Sequence, residues 1–291
     1  MGALSQLEVR DVTPDFGAEL IGLEPKRPLD RDTCDVLRDV FDRRGLLLFR
    51  DLDIGHAYQV YLATMLIRKE HLADGSTPGT TPIEDTFYIS NERPKSAAPF
   101  GRLQFHSDTM WTEHPFEVLS LYAVNVEEPV VPTTFVSATH AWTTLPDDLR
   151  TRVDGREALH TAGEVRRGDL TDVALTTVDR PPSTTMPIGR THPRTDQTIL
   201  YVCEQMTKEV VGMAPDESEA LLDDLFGHMY DERNHWNHYW RNGDLIIWDN
   251  EAVQHARPNV RNDGPARTLR KVAFPLPKLN RDELPSYSRA K

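Results

Sequence analysis

The sequence predicts a mainly β fold with added helices, built on a double-stranded β-helix core of the jelly-roll or cupin-like type. The second half holds several runs rich in β-branched and aromatic residues, separated by turn-forming residues. Helical patterns lie between these runs without a regular βαβ alternation, so we expect flanking helices rather than a parallel sheet. The predicted strands of this half are 116–125, 133–138, 198–203, 244–249 and 267–274.

The first half begins with a short strand and a turn within 15–29, followed by a helix over 31–44. Asp30 can cap this helix and Gly45 can end it, as both residue types commonly do at these positions. Residues 45–52, GLLLFRDL, read as a buried strand. The apolar residues that set the helical spacing are Cys34, Leu37, Val40 and Phe41.

Three further helices are predicted, over 56–70, around 147–153 and over 215–229. Pro146 begins the second of them, and Asp216 is the predicted cap of the third. The third helix carries its apolar residues at helical spacing, so it is expected to pack against the core.

We predict one domain over 1–291, with long loops that cover a binding site. Residues 72–100 and 155–198 are rich in polar and turn-forming residues, which predicts lid segments more than linkers in a compact domain. The tail 279–291 is expected to be frayed.

Composition excludes several classes of function. The net charge of −13 and the absence of a basic cluster argue against nucleic acid or an anionic membrane as partner. No apolar run approaches the roughly 20 residues of a membrane span. The first residues, MGALSQLEVRDV, lack the basic and apolar regions of a signal peptide, so none is expected. The two cysteines, Cys34 and Cys203, make no disulfide framework and are read as core residues. We therefore expect a cytoplasmic protein that acts on a small molecule.

The stretch QFHSDTMW places His106 two residues before Asp108. With 11 histidines and 46 acidic residues, about 1.7 such matches are expected by chance, so the pair alone proves nothing. On a strand, however, both side chains would share one face, and His255 follows a buried strand as a possible third ligand. Two imidazoles and one carboxylate leave open positions that suit Fe(II).

The strand RTLRKVAF follows His255 and supplies cations. Arg267 and Lys271 share one face of a regular strand, whereas Arg270 faces the other way. A guanidinium can hold a carboxylate by two charge-assisted hydrogen bonds, and a hydroxyl of Thr133 or Thr134 could complete that cradle.

These pieces together resemble the TauD/TfdA family of Fe(II)- and 2-oxoglutarate-dependent dioxygenases. The resemblance covers nearly the whole chain, and it is specific because the pieces occur in one order. The family pattern is a His-x-Asp pair, a Thr about 25 residues later, a distal His, and an Arg about a dozen residues beyond. The matching stretches are FGAELIGLEPKRPL, RRGLLLFRDL, FHSDTMW, HAWTTLPDDLRTRV, HPRTDQTILYV, VVGM with the helix that follows it, and HYWRNGDLIIWDNEAVQHARP.

The resemblance implies an enzyme in which three residues bind Fe(II) and others bind 2-oxoglutarate. The implied metal ligands are His106, Asp108 and His255, and the implied cosubstrate contacts are Thr133, Arg267 and Arg270. With O2 as oxidant, such an enzyme oxidises a C–H bond and releases succinate and CO2. The carboxylate of Asp108 favours hydroxylation, and desaturation or another oxidative rearrangement is the alternative. A non-catalytic jelly-roll protein that only binds a ligand is the alternative of another class.

The substrate site implied by the resemblance comprises Arg102, Thr109, Trp111 and Lys271. Relatives that oxidise sulfonates have an Arg where this chain has Lys271, and this difference together with Arg102 implies a substrate unlike taurine. An anionic group on the substrate is suggested by a set of cations, Arg68, Lys69, Arg102, Arg270 and Lys271. Which of the three cations of the last strand holds 2-oxoglutarate and which the substrate is left open. The stretch EEPVVPTT also replaces the Gly-Gly-Asp turn that usually precedes the Thr. The resemblance further implies a homodimer or homotetramer.

His235 and His238, in RNHWNHYW, form a second candidate metal pair. Their spacing is compatible with zinc, but no Cys or carboxylate in the sequence completes such a site. A partly exposed structural role is the preferred interpretation. Trp248 is expected to pack against the barrel wall.

Overall fold

The computed structural model describes residues 7–25, 29–67, 88–93, 96, 98–162, 173–175, 181–275 and 287–289. These residues form a mainly β protein with few helices. The helices are α1 (Arg31–Arg44), α2 (His56–Met65), α3 (Ala138–Thr143), α4 (Asp147–Val153) and α5 (Pro215–Met229), with a short 3-10 helix at Glu232–Asn234. The strands of the first half are β1 (Glu8–Asp11), β2 (Ala18–Ile21), β3 (Leu46–Phe49), β4 (Tyr88–Ser90), β5 (Gly101–His106), β6 (Val118–Val126) and β7 (Thr133–Ser137). The later strands are β8 (Glu157–Thr161), β9 (Val173–Leu175), β10 (Ser183–Pro187), β11 (Gly189–Thr191), β12 (Thr198–Leu200), β13 (Thr207–Val210), β14 (Trp236–His238), β15 (Leu245–Asp249), β16 (Val253–Val260), β17 (Arg267–Phe274) and β18 (Tyr287–Arg289).

Two sheets position the site. A seven-stranded sheet has the order β1-β2-β3-β15-β6-β17-β4, and a four-stranded sheet has the order β14-β7-β16-β5. Smaller sheets pair β10, β8 and β13, β11 with β12, and β18 with β9. Every described strand pair is antiparallel except β2 with β3, which is the pattern expected when hairpins and long returns replace βαβ crossovers.

Helix α1 shows why the local sequence signals worked. The Asp30 side chain accepts a hydrogen bond from the Thr33 N–H at 2.7 Å, and Gly45 adopts a left-handed conformation with φ of 67°. The helix buries Leu37, Val40 and Phe41 against the large sheet, as its periodicity predicted. Cys34 is only half-buried beside this cluster, whereas Cys203 is fully buried.

Helix α5 corrects one detail of the prediction. The expected range 215–229 is confirmed, but Asp216 is not the cap, because Ala214 occupies that position without a side-chain hydrogen bond. Pro215 begins the helix, where its fixed φ suits the first turn and its missing N–H costs nothing. Asp216 lies inside the first turn and favours the helix dipole instead.

The predicted lid segments are described only in part. Residues 72–87 lie outside the described residues, while the described positions of 88–100 include β4 and part of a cavity wall. Within 155–198, the described residues form β8, β9, β10 and β11, and β12 begins at Thr198. Of the predicted frayed tail 279–291, the structure describes only 287–289, as the strand β18. Across the described parts of the chain, none of the helices is both long and apolar enough to cross a membrane.

Candidate metal and cosubstrate site

The three predicted metal ligands lie together where β5 and β16 pair. His255 is the direct cross-strand partner of His106, and their ring centroids are 4.2 Å apart. Asp108 lies in the turn after β5, and its Oδ1 is 3.5 Å from the His106 Nε2. One potential ligand atom from each residue lies within 4.8 Å of the others. This donor set, with two imidazoles and one carboxylate, fits a divalent metal with open positions.

Electrostatics favour the ligand states that a metal requires. Burial, followed by the nearby His106, lowers the pKa of His255 well below its usual value, so this imidazole is neutral at pH 7. Burial alone would raise the pKa of Asp108, but Lys271 and His106 outweigh it and hold that pKa well below its usual value. A metal binds neutral imidazole and ionised carboxylate, so neither group has to lose a proton first.

His106 is oriented by the backbone. Its Nδ1 lies 2.7 Å from the Gln104 carbonyl oxygen, which leaves Nε2 as the atom that faces Asp108. A backbone carbonyl on one ring nitrogen is a common device for fixing the tautomer of a metal-binding histidine. Trp248 contacts His255 edge to face at 4.9 Å and is fully buried, as expected for a residue of the wall.

Lys271 ion-pairs with Asp108 through its Nζ and the Oδ2 of the carboxylate. The lysine lies on β17 of the seven-stranded sheet, and the aspartate follows β5 of the four-stranded sheet. The contact therefore spans the space between the two sheets. It places a flexible cation beside the three predicted metal ligands, where the sequence predicted a substrate contact.

Arg267 and Thr133 form a second polar group on the same cavity. The Arg267 Nη2 donates to the Thr133 Oγ1 at 3.1 Å, and its Nε donates to the Val131 carbonyl at 3.2 Å. Trp240 donates its Nε1–H to the same hydroxyl at 3.0 Å. The paired hydroxyl supports Thr133 over Thr134, whose Oγ1 donates to the Asn237 side chain instead.

The Arg267 guanidinium is buried without a counter-charge from the described residues. It is 5% exposed, and no described carboxylate forms an ion pair with it. Burial, and then the nearby Arg257, lower the pKa of Arg267 well below its usual value. A guanidinium nevertheless keeps its proton in proteins, so the result is a buried positive charge that a bound carboxylate would compensate.

Arg270 lies away from this site. Its Nε donates to the Gln59 Oε1 at 2.7 Å, its Nη2 donates to the Ile54 carbonyl at 2.9 Å, and its guanidinium lies over the Tyr122 ring. The alternation predicted for β17 is therefore observed: Arg267 and Lys271 line the cavity and Arg270 does not. The proposed cosubstrate contact through Arg270 finds no support in this placement.

A cavity of about 820 Å³ contains the whole constellation. Both large sheets contribute walls, and the segment that precedes β5 contributes another. The lining residues are Ile89, Asn91, Glu92, Arg93, Ser96, Ala98, Pro99, Phe100, Leu103, His106, Asp108, Leu121, Thr133, Trp248, His255, Arg257, Asn262, Arg267 and Lys271. Such a volume accommodates a cosubstrate and a second small molecule.

Three predicted substrate residues are not among those that line the cavity. Arg102 is exposed on β5, whereas its neighbour Leu103 lines the cavity. Thr109 has a φ of 59°, and its hydroxyl donates to the Asp108 carbonyl and accepts from the Phe116 N–H. Trp111 is buried in a separate apolar cluster with Tyr201 and other residues. The structure therefore gives Thr109 and Trp111 packing and turn contacts.

Arg257 is a cavity residue that the sequence did not reveal. It lies two positions after His255, is 3% exposed, and donates to the carbonyls of Ala98, Phe100 and Gly101. These bonds attach the segment before β5 to β16. The only sequence signal was its place in HARP, two residues from a candidate ligand.

His235 and His238 do not form a metal pair with a third described ligand. His238 is buried with its Nε2 3.1 Å from Asp244, and His235 places its Nε2 3.1 Å from the Tyr230 carbonyl oxygen. Burial lowers the pKa of His238 despite the aspartate. His238 thus has a structural role, but it is buried rather than partly exposed.

Comparisons with known proteins find similar sequences along most of the chain. The sequence profile described as "Taurine catabolism dioxygenase TauD, TfdA family" matches residues 8–273. The alpha-ketoglutarate-dependent 2,4-dichlorophenoxyacetate dioxygenase of Cupriavidus pinatubonensis is 30% identical over 256 residues, which cover 83% of this chain and 88% of the relative. An alkylsulfatase of Acinetobacter baylyi is 22% identical over 278 residues, which cover 92% of this chain and 85% of the relative.

A solved structure extends the likeness to the fold. The crystal structure of AAD-2 in complex with Mn(II) and N-oxalylglycine superposes with a TM-score of 0.73 at 22% sequence identity, covering 94% of this chain and 100% of that chain. The fold is therefore TauD-like. The profile spans most of the chain, and the 2,4-dichlorophenoxyacetate dioxygenase matches most of both sequences at 30% identity. The chain belongs to the TauD/TfdA family and is an alpha-ketoglutarate-dependent (2-oxoglutarate-dependent) dioxygenase, an oxidoreductase.

Proposed function

We propose that this enzyme binds Fe(II) through His106, Asp108 and His255 and hydroxylates a C–H bond of a small, partly apolar anion. The observation that carries the proposal is the single cavity that unites this donor set with the cations Arg267 and Lys271. In the proposed reaction, substrate C–H, O2 and 2-oxoglutarate give substrate C–OH, succinate and CO2. Bound iron supplies the oxidation chemistry, and the protein supplies the geometry.

Arg267 and Thr133 are proposed to hold the distal carboxylate of 2-oxoglutarate. The buried guanidinium lacks a counter-charge among the described residues, and its fork matches a carboxylate. The Trp240 N–H also donates to the Thr133 hydroxyl and helps to fix its position. One carboxylate of 2-oxoglutarate would thus compensate the buried charge of Arg267. It would also accept hydrogen bonds from Arg267 and Thr133, which are already held in position.

Lys271 is proposed to hold the anionic group of the substrate. Its present partner is Asp108, whose carboxylate is also a proposed metal ligand. A metal bound by that carboxylate would compete with the ammonium for it, and a substrate carboxylate or sulfate would provide the ammonium with another anion. A flexible ammonium acts as a point charge, so it tolerates more than one anion geometry.

The rest of the lining supports an amphipathic substrate. Apolar side chains face the cavity from both sheets and from the segment before β5. These residues are Ile89, Ala98, Pro99, Phe100, Leu103 and Leu121. The names of the two relatives also concern anions with an organic body, a chlorophenoxyacetate and an alkyl sulfate. We therefore propose a carboxylate or sulfate that carries an apolar group.

We also propose that the two large sheets form the double-stranded β-helix predicted from the sequence. Two observations support this proposal. All strand pairs of the two sheets are antiparallel except β2 with β3, and both sheets contribute residues to the cavity wall. The ligand histidines lie on the four-stranded sheet, while Arg267 and Lys271 lie on the seven-stranded sheet. In this arrangement the cavity is the open end between the two faces.

The test is succinate formation with Fe(II), ascorbate, O2 and 2-oxoglutarate across matched compounds. Apolar carboxylates, sulfates and sulfonates are compared with neutral amides or alcohols of the same body. We expect anions to raise succinate formation above the substrate-free rate, with hydroxylated product detected by mass spectrometry. If no anion stimulates turnover, or if neutral isosteres serve equally well, the proposed substrate class is wrong.

Two variants separate the parts of the proposal. Lys271→Met is expected to lower kcat/KM for the anion by roughly 10–100-fold, which corresponds to one lost charge-assisted contact. Lys208→Met is the control, because this exposed lysine on β13 is not among the cavity residues. His106→Ala combined with Asp108→Ala is expected to abolish Fe(II)-dependent turnover. Retained turnover in that double variant would contradict the metal assignment.

A further inference from the structure

We propose that Asn250 is a positioning residue that joins the two chain segments carrying the metal ligands. This proposal depends on the proposed metal site, because it concerns how Asp108 is held relative to His255. Asn250 is fully buried in the turn between β15 and β16, and it is not among the cavity-lining residues. Its action on a metal must therefore pass through the residues that it contacts.

The Asn250 side chain grips the backbone of Asp108 in both directions. Its Oδ1 accepts the Asp108 N–H at 2.9 Å, and its Nδ2 donates to the Asp108 carbonyl at 2.8 Å. The same Nδ2 donates to the Phe116 carbonyl at 2.9 Å. One amide thus satisfies both polar backbone groups of a predicted metal ligand and ties the turn to the chain that follows it.

The Asn250 backbone completes the bridge. Its carbonyl accepts the Ser107 hydroxyl, and its N–H donates to the Glu117 carbonyl at 2.9 Å. Ser107 lies between His106 and Asp108, so this contact holds the short stretch that joins the two ligands. Both ends of the turn are therefore attached to residue 250.

The turn of Asp108 needs such a support. Thr109 follows with a φ of 59°, a left-handed conformation that a β-branched residue rarely adopts. Backbone of this kind persists only where surrounding contacts determine it. The bonds from Asn250 supply contacts on the N-terminal side of Thr109, and they fix the direction in which the Asp108 side chain leaves the backbone.

The turn of Asn250 is itself held by its neighbour. The Asp249 Oδ1 accepts the N–H groups of Glu251 and Ala252, and the Asp249 carboxylate is paired with His192 and Arg194. The strand β16 starts at Val253 and carries His255. The turn between β15 and β16 is thus bonded to Asp108 through Asn250. The same turn leads directly into the strand that carries His255.

The experiment measures Mn(II) binding to the full chain from the electron paramagnetic resonance signal of the free ion. Asn250→Ala is expected to weaken Mn(II) binding by roughly 10–100-fold, the range for partners that orient metal ligands. The matched control is Asn234→Ala in the 3-10 helix. That side chain also donates through Nδ2 to two backbone carbonyls, those of His228 and Met229, and neither residue belongs to a described segment that carries a predicted metal ligand.

Ser107→Ala is the second variant, and it keeps the test decisive if Asn250→Ala does not fold. It removes only the hydroxyl that bonds to the Asn250 carbonyl, and we expect a smaller loss, of several-fold. Thermal unfolding is measured for every variant. A lower melting temperature with an unchanged Mn(II) dissociation constant in the folded Asn250 and Ser107 variants would overturn the proposal, because it would show a role in stability alone.

The wild type and the His106→Ala/Asp108→Ala variant distinguish the two levels of the argument. If the wild type binds Mn(II) and the double variant does not, the measurements on Asn250 test the positioning role directly. If both bind equally, the metal assignment fails, and the proposal for Asn250 is overturned with it. If Asn250→Ala and Ser107→Ala bind Mn(II) as tightly as the wild type while the double variant does not bind it, the metal assignment stands and the positioning role fails.

Discussion

Thr133 and Thr134 are neighbours on β7, and their side chains point to opposite faces. Thr133→Val is expected to raise the KM for 2-oxoglutarate about tenfold, because the proposed hydrogen bond from the Thr133 hydroxyl to the cosubstrate carboxylate is lost at a cost of about 1–1.5 kcal/mol. Arg267 and Trp240 also lose the acceptor that positions them. Thr134→Val removes only the hydrogen bond to Asn237 and should leave this KM unchanged. The measurement is initial-rate kinetics with varied 2-oxoglutarate. Equal effects from the two variants would contradict the proposed cosubstrate cradle.

At the residue scale, the sequence was most informative where chemistry and alternation acted together. The parity of β17 predicted that Arg267 and Lys271 share a face and that Arg270 leaves it. Arg102 and Trp111 show the limit of spacing as a guide. Arg102 is on the exposed side of a strand, and Trp111 follows a turn with a left-handed residue, which redirects the chain away from the cavity. No local pattern encodes that turn.

At the element scale, Arg270 attaches helix α2 to the seven-stranded sheet. It bonds to Gln59 on the helix and to the Ile54 carbonyl before it, while Gln59 also donates to the Ser120 hydroxyl. Arg270→Met is expected to reduce the free energy of unfolding by about 2–3 kcal/mol, because buried partners lose hydrogen bonds to a charged group. Urea unfolding of the metal-free protein measures this change.

Arg267→Met, on the same strand, is the matched comparison for Arg270→Met. It should raise the KM for 2-oxoglutarate by roughly 10–100-fold, since a charge-assisted contact is lost. Arg270→Met should change that KM little in the fraction that remains folded. If the two variants exchange these effects, Arg270 holds the cosubstrate and the placement of Arg267 has been misread.

Secondary structure was predictable where the responsible signals are local. The cap at Asp30, the left-handed Gly45 and the apolar spacing between them define α1 without any tertiary contact. Short strands without a clear alternation of polar and apolar residues were not predictable. Strand β5, which carries His106, is one of them. Its burial depends on β16 across the sheet, about 150 residues later in the chain, so the pairing of His106 with His255 is a product of topology.

At the scale of the whole molecule, the cavity could not be derived from the sequence. Its walls come from both large sheets and from the segment before β5, which Arg257 attaches to β16 through three backbone carbonyls. Side chains from distant parts of the chain thus meet because two sheets face each other. The family resemblance led us to expect a site. That Arg102, Thr109 and Trp111 lie outside the cavity could be seen only in the three-dimensional structure.

A buried histidine outside the cavity is expected to make the stability of the fold sensitive to acid. His160 on β8 is fully buried, its Nδ1 lies 3.0 Å from the Thr207 hydroxyl on β13, and its ring contacts Tyr201. Burial, and to a smaller extent the charge of Arg190, lower the pKa of His160 to about 3. Arg190 is paired with Glu251 and lies over the Tyr201 ring, so the cation is fixed in place near the imidazole.

The sign of the effect follows from where the proton binds. Between pH 6.5 and about 3, the unfolded chain protonates this histidine and the folded chain does not, so the free energy of unfolding falls as the pH falls. From pH 6.5 to pH 4.5 the loss from this group is about 2–3 kcal/mol, at 1.36 kcal/mol for each pH unit. In His160→Gln, urea unfolding should show a pH dependence that is weaker by this amount, whatever the variant loses in packing at pH 8. If the free energy of unfolding depends on pH in the same way in wild type and variant from pH 8 to 4.5, the imidazole is protonated in the folded protein and the prediction is wrong. Any acid sensitivity would then have to come from carboxylates such as Asp249. His192 and Arg194 hold the pKa of Asp249 low against the opposing effect of burial.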